Sequence, residues 1–164
     1  MDLQDITPAT STVSDTYLDD VVEGWLACVE WTSVHYCWPG EPHNLCGVTG
    51  PDDNSSCVGH ELDSLERGDW TPGALSTARE VCGAFLVTEV ADRPGVTVAA
   101  VVKALDMRPD EVGHNLALSA AGHGTGFWDR GYGEAGGALD TVAETVGEYR
   151  AFLLPDLSLG LEGG

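Results

Sequence analysis

Lysine is nearly absent from this chain of 164 residues: Lys103 is the only one, and Lys and Arg together number 7 against 27 Asp and Glu, a formal charge of −20. A chain so poor in cations repels phosphate backbones, which removes direct nucleic-acid binding from consideration. Long apolar runs are missing too. The longest, Val98 to Val102, falls far short of the ~20 residues that span a bilayer, and the first residues carry no basic leader. The expected location is therefore the cytoplasm, with no membrane partner. Cysteines number 5, an odd count that suits a reduced compartment better than a secreted disulfide framework. Isoleucine occurs once, at Ile6, and glycine 21 times, the signature of a GC-rich coding genome, which explains some of the missing lysine but none of the surplus acid.

What is present is enough apolar material, 43% of residues with 5 Trp, to bury a core within one domain. Residues 1–14 lack periodicity and read as a mobile lead-in, leaving 15–164 as a single helical domain. Tyr17, Val21, Trp25, Leu26 and Val29 recur at helical spacing over 15–31, with Asp15, Asp19, Asp20 and Glu23 on other faces near the positive end of the helix dipole. Thr71-Pro72 reads as an N-cap followed by proline at the first helical position, starting a helix that runs to about residue 90. Shorter helices are expected over 96–105 and 109–120, and another over 134–147. The segment 149–162 reads as a terminal hairpin broken at Pro155-Asp156. The fold class is mainly α, an α+β domain of small helices with a C-terminal β-hairpin.

The insertion 33–70 is rich in Gly, Pro and Asp and too long for an unsupported loop in a compact domain. It contains His43-x-x-Cys46 and Cys57-x-x-His60, two pairs of N and S ligands in mirror order. Four such ligands suit a tetrahedral structural Zn²⁺ that would staple the excursion, with Cys37 or His35 as substitute ligands. A second cluster lies in the glycine-rich stretch 122–133, where His123, Asp129 and Arg130 are the groups of a general base, its orienter and an oxyanion clamp. No nucleophile accompanies them. Phe127 and Trp128 beside them are either anchors in the core or, if exposed, a binding hot spot.

That stretch also carries a resemblance. Gly113-His114-Asn115-Leu116 together with Gly122-His123-Gly124-Thr125-Gly126-Phe127-Trp128-Asp129-Arg130-Gly131 resembles the G-H-D-F-W-L-T-R-N-G-H-G-A-G-F-W-D-R-G run of a family of small acidic proteins encoded by actinobacterial phages. Ala27-Cys28-Val29-Glu30-Trp31-Thr32-Ser33 is similar to the family's E-C-A-L-W-S-S, and Glu80 and Cys82 with Phe85 to its D-C-x-x-F. The matches keep their order across residues 27–131. Where the family has W-L-T-R-N, this chain has Ala117-Leu118-Ser119-Ala120-Ala121, so nothing that depends on that Arg and Asn carries over. The resemblance implies a phage or prophage origin and a terminal hairpin. It assigns no activity and no zinc.

Residues 98–112 have the rhythm of a helix-turn-helix, but Asp106 stands at the turn where glycine is expected and Pro109-Asp110-Glu111 opens the second helix. These helices are expected to be core. The acids carry the functional expectation. Carboxylates at i and i+4 stand about 5–6 Å apart along a helix, close to the spacing of successive phosphates. Two rows, Asp15/Asp19/Glu23 and Asp140/Glu144/Glu148, could therefore occupy a DNA-binding cleft. The sequence points to a non-catalytic acidic inhibitor of a basic nucleic-acid-handling host protein, such as a nuclease, restriction enzyme or defence complex. Its expected contact residues are Asp15, Asp19, Asp20, Glu23, Asp140, Glu144, Glu148, Phe127 and Trp128. The alternatives are a small enzyme using His123, Asp129 and Arg130, and a zinc-stapled interaction or virion-assembly module.

Overall fold

The computed structural model describes residues 2–6, 13–35, 60–61, 69–91, 93–154 and 156–163. Five α-helices and two small antiparallel sheets make up the described fold: α1 (Asp15–Thr32), β1 (Val34–His35), β2 (His60–Glu61), α2 (Pro72–Val87), α3 (Val98–Ala104), α4 (Pro109–Ala120), α5 (Glu134–Glu144), β3 (Tyr149–Leu153) and β4 (Leu159–Gly163). The chain is thus mainly helical with a C-terminal hairpin. In the hairpin Tyr149 pairs with Gly163 and Leu153 with Leu159.

Side-chain caps set the starts of three helices. The Ser14, Thr71 and Thr97 hydroxyls accept from the Tyr17, Ala74 and Ala100 amides at 3.2, 3.2 and 3.4 Å. Helix α2 ends at Val87, earlier than its apolar pattern suggests. Residues 88–98 then double back, with Val90 N–H donating to Val96 O at 2.9 Å and Val98 N–H to Thr88 O at 2.9 Å. Helix α5 also stops short, at Glu144, because the chain must reverse into β3, and Gly147 takes the left-handed φ of 80° that the reversal needs.

The core gathers Trp25, Phe85, Leu86, Leu116, Phe127 and Leu139, all at most 1% exposed. Helix α3, the first helix of the segment with helix-turn-helix rhythm, is buried along Val98, Ala99, Ala100, Val101 and Val102 and is core as expected. Asp106 adopts φ 52°, the left-handed turn conformation in which glycine was expected. The hairpin is tied to the helices at both strands. Ala151 N–H donates to Ser33 Oγ at 2.8 Å, and Thr71 N–H to Leu159 O at 2.9 Å. The expected mobile lead-in is partly docked: Leu3 and Ile6 are buried, and Arg93 donates to Leu3 O at 3.1 Å and Gln4 Oε1 at 2.8 Å. At the base of the insertion β1 meets β2 with His35 opposite His60.

Candidate functional site

Helices α1 and α4 touch backbone to backbone. A Cβ on Gly113 would lie 2.0 Å from Val21 O and 2.6 Å from Trp25 N, and one on Gly24 would lie 2.1 Å from Asp110 O. Only glycine fits at either position. The close crossing draws the first turns of α4 against the middle of α1 and opens a groove of about 770 Å³ beside it. Asp20 and Glu23 of α1 face Asp110 and Glu111 of α4 across this groove, with Arg108 and Arg130 at its edges. Arg108 is ion-paired to Asp110 at 2.6 Å, and Glu111 accepts from the Tyr132 hydroxyl at 2.9 Å. Asn115 also lines the groove, fully buried, and neither its Oδ1 nor its Nδ2 has a hydrogen-bond partner among the described residues.

His114 and Arg130 line a second cleft as well, of about 500 Å³, between the end of α1 and the glycine-rich loop. The loop is held rigidly where it passes α4. Phe127 N–H donates to Ser119 Oγ at 3.2 Å, and Gly126 packs so close that a Cβ there would meet that same oxygen at 2.3 Å. Gly126 N–H donates to Asp129 Oδ1 at 3.0 Å, and that oxygen lies 3.7 Å from Arg130 Nε. Asp129 is therefore a loop brace and a guanidinium orienter. His114 stacks on Trp31, with ring centroids 6.3 Å apart and planes 25° apart. Burial, seconded by the Arg130 charge, holds the His114 imidazole below its ordinary value, while Asp110 and Glu111 pull the other way. His123 and Thr125 complete the outer wall.

The structure therefore unites His123, Asp129 and Arg130 as expected and adds His114 and Trp31, which entered the sequence reading only through the quoted motifs. Other expectations need correction. Phe127 is fully buried and stacked on Phe85 at 5.8 Å, so it cannot contact a partner, whereas Trp128 is 57% exposed. The row on α1 is not a free ladder, because Arg79 of α2 is ion-paired with both Asp15 and Asp19. The second row does not form a helical ladder. Glu148 lies beyond the end of α5 and chelates the Arg150 guanidinium through two contacts of 3.1 Å, and Asp140 is half-buried. Asp20, Glu23 and Glu144 remain exposed.

His43, Cys46, Cys57 and the substitute Cys37 lie outside the described residues, as does the His60 side chain. Among the described residues no group of three or more His, Cys, Asp or Glu could hold a metal. The two described thiols are unsuited to chemistry. Burial pushes Cys28 up to about 11 and Cys82 up to about 12, so neither supplies a thiolate at neutral pH. No described helix is long and apolar enough to cross a membrane. Comparison with protein-family models, with curated proteins and with solved structures returns no match.

Proposed function

We propose that this chain is a non-catalytic acidic protein that acts in a host cytoplasm by binding and inhibiting a basic nucleic-acid-handling protein, a counter-defence role in the manner of a DNA mimic. The observation that carries this reading is the local neutralisation of its few cations. Arg79, Arg108 and Arg150 each stand against a carboxylate of this same chain, and over the whole sequence acids outnumber Lys and Arg by 20. Such a surface attracts a basic cleft over long range and releases the counterions condensed there. The contact face this reading now favours differs from the two ladders. It is the groove edge formed by Asp20 and Glu23 with Asp110 and Glu111, and the exposed Trp128 is the aromatic anchor. A Zn²⁺ on His43, Cys46, Cys57 and His60 remains the proposed staple of the insertion, tested by metal analysis of purified protein before and after chelation.

Tagged protein is incubated with host lysate, the bound proteins are identified, and elution is followed against salt and against duplex DNA. The expected result is a nuclease or DNA-binding protein released by both, and lost when Asp20 and Glu23 are changed to Lys. A partner resistant to salt and to DNA, or no partner, overturns the reading.

A further inference from the structure

The cleft between α1, α4 and the loop runs against the charge of the rest of the molecule. Both histidines whose side chains are described, His114 and His123, border it together with Arg130. Among the described residues Asp129 is the one carboxylate lining it, and that group is engaged with the Gly126 amide and the Arg130 Nε side. Arg130 lines the cleft, its side chain is 42% exposed, and its guanidinium donates no hydrogen bond within the described residues, so its terminal nitrogens are left to solvent or a ligand. The same cleft has an apolar part. Trp31 is 53% exposed, although a tryptophan ending an amphipathic helix would ordinarily be covered, and Leu118 sits beside it. A volume of about 500 Å³ suits one small molecule.

We propose that this cleft binds a small planar aromatic ligand carrying an anionic group, a phosphate or a carboxylate, with the ring on Trp31 and Leu118 and the anion on Arg130 and His123. Guanidinium and imidazole donors match the oxygens of either anion, and an indole face left open to solvent gains by covering with a second ring. The cleft shares His114 and Arg130 with the groove but none of the four acids of the contact face proposed above, and its test stands without that reading. It uses residues from the end of α1, the middle of α4 and the loop after α4, which only the folded chain brings together.

The full chain, isotopically labelled, is titrated with adenosine 5′-monophosphate and with indole-3-carboxylate, and in parallel with adenosine, inorganic phosphate and spermidine, while the Trp31 indole and the His114 and His123 rings are followed by NMR. The expected result is saturable binding of at least one aromatic anion, tighter than adenosine or phosphate by about tenfold or more, with shifts at those three residues. Which of the two anions binds distinguishes phosphate from carboxylate. Arg130→Gln should weaken binding by about tenfold or more and Arg130→Lys by less, since the charge is kept while the fork is lost. Circular dichroism checks that each variant is folded. Absence of saturable binding by both aromatic anions, preference for spermidine, shifts away from the cleft, or Arg130→Gln binding as well as the parent would overturn the proposal.

Discussion

Glycine inside a helix is normally a weakness, and replacing it with alanine stabilises an exposed helical position by about 1 kcal/mol. Gly113 and Gly137 both lie in helix interiors, in α4 and α5, yet the structure predicts opposite outcomes for them. A Cβ on Gly137 meets nothing within 4 Å, so Gly137→Ala should gain about 1 kcal/mol. A Cβ on Gly113 would stand 2.0 Å from Val21 O, and the obstacle is backbone, which cannot rotate away. Overpacking costs about 1–3 kcal/mol where side chains can adjust, and this contact sits at the upper end. After the propensity gain is subtracted, Gly113→Ala should lose about 2 kcal/mol, a fall in Tm of about 4–8 °C for a domain of this size. Urea and thermal unfolding followed by circular dichroism measure both. The reasoning fails if Gly113→Ala is as stable as the parent, or if Gly137→Ala loses as much. The same substitution has a second readout, because His114 is the next residue. Parting the helices should disturb the His114–Trp31 stacking and, with it, the cleft.

Three further outcomes are expected. Peptide-resolved alkylation at pH 8 should leave Cys28 and Cys82 unmodified in the native protein and label both in urea, as thiols held near 11 and 12 behind a closed core require; rapid native labelling would contradict that burial. By NMR His114 should titrate below the ordinary 6.5, and Arg130→Gln should raise its midpoint. Because the folded chain takes up this proton at lower pH than the unfolded chain, His114 costs no stability above 6.5 and a growing amount as the pH falls below it. Asn115→Leu, with the same branching, should raise stability by about 1 kcal/mol by removing two buried polar atoms that are unpartnered among the described residues; a loss would refute that reading.

Much of the helical frame is legible in the sequence because its start signals are local. Thr71-Pro72 and Pro109-Asp110-Glu111 mark two helix starts at their positions, and the hairpin follows from apolar runs around Pro155. Helix ends are harder. Val90 and Val146 continue an apolar stripe but belong to turns, since their spacing records burial and burial does not require helix. The functional face was the least legible part. Spacing alone shows that Asp15 and Asp19 share a helix face, but nothing local shows that Arg79, some sixty residues on, crosses to them. Phe127 and Trp128 are neighbours with opposite fates, one stacked on Phe85 and one in solvent, and only the tertiary path of the loop separates them. The approach of His114 to Trp31 likewise depends on Gly24 and Gly113, whose role as contact points between two helices has no signature in a single sequence.

Arg130 borders both the acidic groove and the cationic cleft, which ties the two proposed activities together. On the groove side its charge opposes a basic partner, and on the cleft side it attracts an anion. An anion bound in the cleft cancels that opposition, so ligand should strengthen partner binding, and by reciprocity partner should strengthen ligand binding to the same degree. One unit charge acting over about 10 Å through water-like dielectric is worth about 0.4 kcal/mol, roughly a twofold change in affinity. Salt separates the two interactions further. Partner binding is attraction between opposite fields and weakens as ionic strength rises, whereas the ligand must approach a chain of charge −20 and is helped when that field is screened beyond a Debye length of about 10 Å. The partner's dissociation constant, measured with and without saturating aromatic anion at two salt concentrations, reads both effects at once. Coupling that survives Arg130→Gln would refute the account in which this charge carries it, leaving His114 as the other residue that the groove and the cleft share.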